Sequence, residues 1–191
     1  LRLPNKILNT SLIAFRWPHL DQAVNADIFF APTLKYLGLR PGTPLVLTLH
    51  DLSFIEHPEY FTFRQRLWHR GLHVRWLLKR ATRIITVSQH TADDARRLFP
   101  YTAEKLRVIH SGADHVPPGP HAALPNLPPA YLLAFAPREA RKNIANLRQA
   151  HTLAFVQHGV PLVLVGSGAG EPTLGIIPIP YLTNNDRWRV V

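Results

Sequence analysis

The 191-residue chain contains no cysteine and no methionine. Without cysteine there are no disulfides and no thiolate metal ligands, which fits a reducing, cytoplasmic setting. Leu1 opens the chain with no charged-then-apolar leader behind it, and a sequence lacking methionine reads as a piece of a longer or trimmed product. No apolar run approaches the ~20 residues a helix needs to cross a bilayer. Acidic residues are scarce: 12 Asp and Glu stand against 22 Lys and Arg, for a formal charge of +10. That balance favours anionic partners, whether nucleic acid, anionic lipid or phosphorylated small molecules. The scarcity is sharpest between Tyr60 and Ala92, where no acid occurs while Arg64, Arg66, Arg70, Arg75, Lys79, Arg80 and Arg83 do.

Short apolar runs recur along the chain, at residues 27–30, 44–49, 83–87, 106–109, 131–135 and 161–165. They are nearly continuous in apolar residues, as strands covered on both faces are. Helical patterns separate several of them. Residues 62–81 place Leu67, Gly71, Val74, Leu78 and Ala81 at steps of four and three, and predict one basic amphipathic helix reaching to about residue 83. Ser88 reads as the N-cap of a second helix running to about Leu98, ahead of Pro100. Strand and helix in repetition argue for an α/β chain with doubly wound sheets. Six prolines between Val116 and Pro129 exclude helix and central strand there and predict a semi-rigid linker. The expected organisation is one domain over residues 1–116, the linker at 117–129 and a second domain over 130–191.

The richest stretch for chemistry is Phe135–Ile144. A strand runs into a loop carrying Arg138, Arg141 and Lys142, and Asn143 then reads as the N-cap of a helix with Ile144, Leu147, Ala150 or His151, and Ala154 on its apolar side. A helix N-terminus offers unpaired N–H groups and a positive dipole end, and three cations beside it make a site for phosphate or diphosphate. A solvated basic turn explains the same residues. His50 and Asp51 follow the second strand directly, at the edge where parallel sheets bind ligands. His50 can hydrogen-bond a sugar hydroxyl or a phosphate; a turn-capping pair is the plainer account. Ser88 holds the same place after the third strand, with simple capping its plainer role. Gly166 opens a glycine-rich turn after the strand at 161–165, where backbone can approach a phosphate closely, although the spacing is not a dinucleotide fingerprint. His69 and His73 are four apart, but no third ligand accompanies them and no metal site is expected.

Taken in order, these pieces resemble the family 4 (group 1) glycosyltransferases of the GT-B fold. The carriers are Val46–Ser53 with Pro58-Glu59, Ile84–Ser88, Lys105–Asp114, Glu139–Ile144, Pro161–Gly166 and Asn185–Trp188. Ala136 and Pro137 stand where that family has glycine and a small or basic residue, and Ser111 where it has asparagine. The chain also stops ahead of the family's paired glutamates. The resemblance implies two Rossmann-like doubly wound domains, both incomplete, acceptor-side first and donor-side second. It implies transfer of a sugar from a nucleotide-sugar, with retention, to a sugar or lipid-linked acceptor in cell-surface glycan synthesis. It implies no cofactor besides that donor substrate. By position, Arg141 and Lys142, with Arg138, would hold the diphosphate and His50 would face the sugar. Asp51, Ser88 and Gly166 would line the cleft. On this basis the isolated chain is expected to be inactive in transfer. Two other classes compete for the basic surface: a nucleic-acid-binding module, and peripheral contact with the inner face of an anionic membrane through residues 62–83. The first is disfavoured because aromatics do not interleave with cations on strand faces and no helix-turn-helix pattern occurs.

Overall fold

The structure is a computed structural model and describes residues 4–112, 126–179 and 182. It divides into two compact units, Leu1–Gly112 and Ala113–Val191. Most of the proline-rich stretch (117–125), Asp114 and the Asn185–Trp188 segment lie outside the described residues.

The first unit opens with α1 (Asn5–Phe15) and α2 (Leu20–Ala23) and continues through β1 (Phe29–Ala31), β2 (Leu45–Leu49) and α3 (Ser53–Glu56). A 3-10 turn at Pro58–Tyr60 leads to α4 (Phe63–Gly71), α5 (Val74–Arg80), β3 (Arg83–Thr86), α6 (Gln89–Leu98), a 3-10 stretch at Pro100–Lys105 and β4 (Leu106–Val108). The four strands form one parallel sheet in the order β1-β2-β3-β4, with Leu47 opposite Ile84 and Ile84 opposite Leu106. Four of the five residues of β2 are buried, which is why its sequence is almost wholly apolar rather than alternating. The described strands run in chain order, without the reversal that marks a switch point.

The single helix expected over residues 62–83 is two. Thr62 starts α4 with a capping box, its hydroxyl accepting from the Gln65 backbone while the Gln65 side chain accepts from the Thr62 N–H. The chain then breaks at His73, whose left-handed φ of 49° no helix interior tolerates. The break separates two faces that periodicity had merged. On α5, Val74, Leu77 and Leu78 enter the core, whereas α4 buries none of its residues and leaves Leu67 exposed. A buried Leu contributes about 1.5–3 kcal/mol, so the pair is anchored by α5 and by Leu72 in the connection.

A polar knot inside this unit went unread in the sequence. Asp21 is fully buried and accepts from Arg40 Nε at 2.7 Å, the Arg40 backbone N–H at 3.1 Å and the Thr43 hydroxyl at 2.7 Å. Arg80, counted above with the surface cations, donates to the carbonyls of Arg40 and Thr43. Two basic side chains thus fix the turn that feeds β2.

The second unit holds β5 (Leu132–Phe135), a 3-10 turn at Ala140–Lys142, α7 (Ile144–His158), β6 (Leu162–Val165) and β7 (Ile176–Ile179). Its sheet is parallel in the order β5-β6-β7, with every residue of β6 buried. β7 was not foreseen. Pro178 argues against a central strand, and the sheet accommodates it by placing β7 at an edge among the described strands. On α7, Ile144 and Leu147 pack on the core and His151 is buried with its Nε2 hydrogen on the Val160 carbonyl, while Ala154 is exposed.

Burial alone would raise the Asp21 pKa, but the hydrogen bonds and charge of Arg40 and the Thr43 hydroxyl win, holding it well below its ordinary 3.8. A carboxylate with a depressed folded pKa stabilises above its unfolded value and loses that stabilisation as pH falls through the folded one. Thermal unfolding of the wild type is therefore expected to drop steeply below about pH 4. Asp21→Asn should cost about 1–3 kcal/mol at neutral pH and flatten that acid limb, as differential scanning calorimetry across pH would record.

Candidate functional site

Parallel pairing brings the carboxyl ends of β1 to β4 to one edge of the first unit, and His50, Asp51 and Ser88 all sit there. The His50 ring is tethered: Nε2 lies 3.0 Å from the Pro32 carbonyl just past β1. A carbonyl can only accept, so Nε2 carries the hydrogen, and Nδ1 is left as an acceptor in the neutral ring. Asp51 Oδ1 accepts from the Ser53 N–H at 3.1 Å and the Ser53 hydroxyl at 2.7 Å, capping the turn into α3. Ser88 caps α6 by accepting from the Thr91 N–H at 3.1 Å, and the Thr91 hydroxyl donates to the His50 carbonyl. The start of α6 is thereby locked to the His50 turn.

His110 also stands at this edge, unforeseen from the sequence. Its Nδ1 lies 3.2 Å from the Val87 carbonyl past β3, repeating one strand pair further on what His50 does to β1. A histidine just beyond a parallel strand was the signal available in both cases. His69, weighed only as a metal ligand, belongs here too, whereas His73 lies in the break before α5. His69 stacks on Phe54 with ring centroids 4.4 Å apart and 13° between planes. Burial lowers its pKa from 6.5, with the nearby Asp51 charge opposing that shift. With Thr33, Leu34 and Trp68, these residues enclose a cavity of about 130 Å³ beside His50 and Asp51.

In the second unit, Arg138, Arg141 and Lys142 follow β5 as expected, but their states differ. Arg138 Nε donates to the Ser167 carbonyl at 2.8 Å, and Arg141 pairs with Glu139 at 2.6 Å. Lys142 makes no side-chain hydrogen bond or ion pair among the described residues. Asn143 precedes α7, yet it does not cap it with its side chain. It adopts φ 50° and ψ 39°, in the left-handed region, whereas side-chain capping needs an extended residue. Among the described residues no side chain hydrogen-bonds the first-turn N–H groups of this 15-residue helix.

The glycine-rich turn is held by the chain itself. A Cβ at Gly166 would lie 2.7 Å from the Ala136 carbonyl, and one at Gly168 2.7 Å from that of Pro137. The Gly168 N–H donates to the Ala136 carbonyl at 2.7 Å. Arg148 on α7 grips the far side, donating to the Ala169 carbonyl at 2.6 Å and the Glu171 carbonyl at 2.7 Å. The glycines are thus needed for backbone-to-backbone packing against the basic loop, a role that spacing alone did not separate from ligand approach.

A parallel α/β unit with polar side chains gathered at its carboxyl edge is the architecture of many nucleotide- and sugar-handling enzymes. The family model for Glycosyltransferase Family 4 matches residues 2–117, and the chain belongs to that family. The match contains His50, Asp51 and Ser88 and ends ahead of β5, so the basic loop and Gly166 lie beyond it. A search among curated proteins finds no match.

Gly166 has φ of 131° and no room for a side chain. Gly166→Ala should lose about 3 kcal/mol or more, combining a strained dihedral with overpacking. Limited proteolysis is expected to show the second unit opening while the first stays protected.

Proposed function

We propose that the chain supplies part of the machinery for retaining transfer of a sugar from a nucleotide-sugar donor to a sugar or lipid-linked acceptor, and that it does not complete that transfer by itself. The donor diphosphate is assigned to the second unit, at Lys142 and Arg141 before α7, with Arg138 holding the loop. His50 faces the transferred sugar, Nδ1 accepting from a hydroxyl, while Asp51 and Ser88 fix the turns around it. The Gly166 turn supports the phosphate loop from below. In the GT-B arrangement assigned to the two units, the first is acceptor-side and the second donor-side. The donor is itself the substrate, and the reading uses no further cofactor. In cells this places the protein in glycan synthesis on the cytoplasmic side, in peripheral contact with an anionic membrane.

The observation that carries the reading is the unpaired Lys142 beside the uncapped start of α7. As the bond between the anomeric carbon and the diphosphate breaks, and the acceptor hydroxyl bonds to that carbon and gives its proton to the departing diphosphate oxygen, negative charge grows on the diphosphate ahead of that proton. A fixed cation and the positive end of a helix stabilise that charge without reorganising.

Calorimetric titration with UDP, GDP and ADP tests the loop. One of them is expected to bind, and Lys142→Ala should weaken it by about 1–3 kcal/mol. Equal binding by the two proteins removes the loop from the site. Salt-sensitive binding of generic duplex DNA, tighter than any nucleotide, would favour the nucleic-acid module instead.

A further inference from the structure

A cavity of about 520 Å³ lies not at His50 but on the other side of the Phe54–His69 stack, between α3, α4 and α5. Its wall carries Arg66, Arg70 and Arg75. No ion pair among the described residues reaches any of these three. The acids of the region are engaged elsewhere, Glu56 with Arg97 and Glu59 with His57, although Glu59 also feels the Arg66 charge from a distance. Arg66 Nε donates to the Phe61 carbonyl at 2.9 Å, and the Arg75 guanidinium lies over the Phe99 ring at 5.9 Å. Three cations on the wall of one concavity make it a favourable seat for an anion.

The rest of the wall is aromatic and apolar. Phe54, Trp76 and Phe99 line the same space, together with Ile55 and Val74. Phe63 and Leu67, one turn apart on the same helix α4, are 77% and 59% exposed. A bare phosphate uses the arginines but not the apolar wall; a neutral hydrocarbon does the reverse. The combination fits a molecule that has both parts.

We propose that this cavity binds the phosphate end of an amphiphile, a phosphate or diphosphate ester of a long-chain alcohol or acyl lipid. The phosphate sits among Arg66, Arg70 and Arg75, and the first carbons of the chain lie against Phe54, Trp76 and Phe99. The site is separate from the diphosphate loop of the second unit, and its occupancy requires no sugar transfer. A free amphiphile and a lipid headgroup at a membrane surface share this chemistry, and the arms of the test tell them apart.

The probes are octyl phosphate below its micelle concentration, inorganic phosphate, octyl glucoside, and vesicles of neutral lipid with and without phosphatidic acid. Calorimetry on the full chain is expected to show octyl phosphate binding about tenfold more tightly than either inorganic phosphate or octyl glucoside. The double variant Arg70→Gln, Arg75→Gln should lose about tenfold in that affinity with its thermal midpoint kept. Preferential retention on phosphatidic acid vesicles, lost in the variant, identifies the membrane as the source; binding of octyl phosphate without it identifies a soluble amphiphile. Should the double variant unfold, Arg70→Gln alone carries the test, because the Arg70 side chain makes no hydrogen bond or ion pair among the described residues. Inorganic phosphate or octyl glucoside binding as tightly as octyl phosphate, or unchanged binding by a folded variant, would overturn the proposal.

Discussion

Parallel pairing is the constraint on which the rest of the structure depends. In a parallel sheet all carboxyl ends share one edge, so residues far apart in sequence meet without any contact chosen for that purpose. His50 and His110 are sixty residues apart in the first unit, yet each tethers its ring to a carbonyl at the end of the neighbouring strand. Asp51 and Ser88 are drawn to the same edge and start α3 and α6 from it. The second unit repeats the arrangement with different chemistry: β5 ends in the basic loop and β6 in the glycine-rich turn. The burial that holds β2 and β6 in place is therefore what assembles both edges.

Cations take three distinct roles that charge counting cannot separate. Arg40, Arg80, Arg138 and Arg148 are structural, donating to buried oxygen atoms or to loop carbonyls. Arg96, Arg97 and Arg141 are paired with carboxylates on exposed surfaces, where such pairs contribute little. A third group, with Lys142 in one unit and Arg70 and Arg75 in the other, has no anionic partner among the described residues. A formal charge of +10 says that anions are welcome; the unpartnered subset says where.

Strands whose two faces are covered were the most legible part of the sequence, because nothing competes with a continuous apolar run. β2, β3, β5 and β6 match the expected runs to within a residue or two at each end. The helix at 62–83 misled because its apolar steps continue through the break at His73, and a left-handed histidine leaves no mark in hydrophobic periodicity. β7 was hidden by Pro178, and Asp21 by having its partners 19 and 22 residues away. The positions of His50, Ser88 and the basic loop were readable from strand ends. What distinguishes them was not: whether a side chain is occupied by its own fold depends on neighbours brought in by the other strands.

We propose that a nucleoside diphosphate is held at the uncapped start of α7, beside Lys142. Amide chemical-shift mapping of the full chain during titration with the tightest-binding nucleoside diphosphate tests it most directly. The largest shifts are expected at Lys142, Asn143, Ile144 and Ala145, with smaller ones through Gly166 and Gly168, whose backbone packs on the loop. Largest shifts on α4 and α5, with Ile144 and its neighbours unmoved, would contradict it.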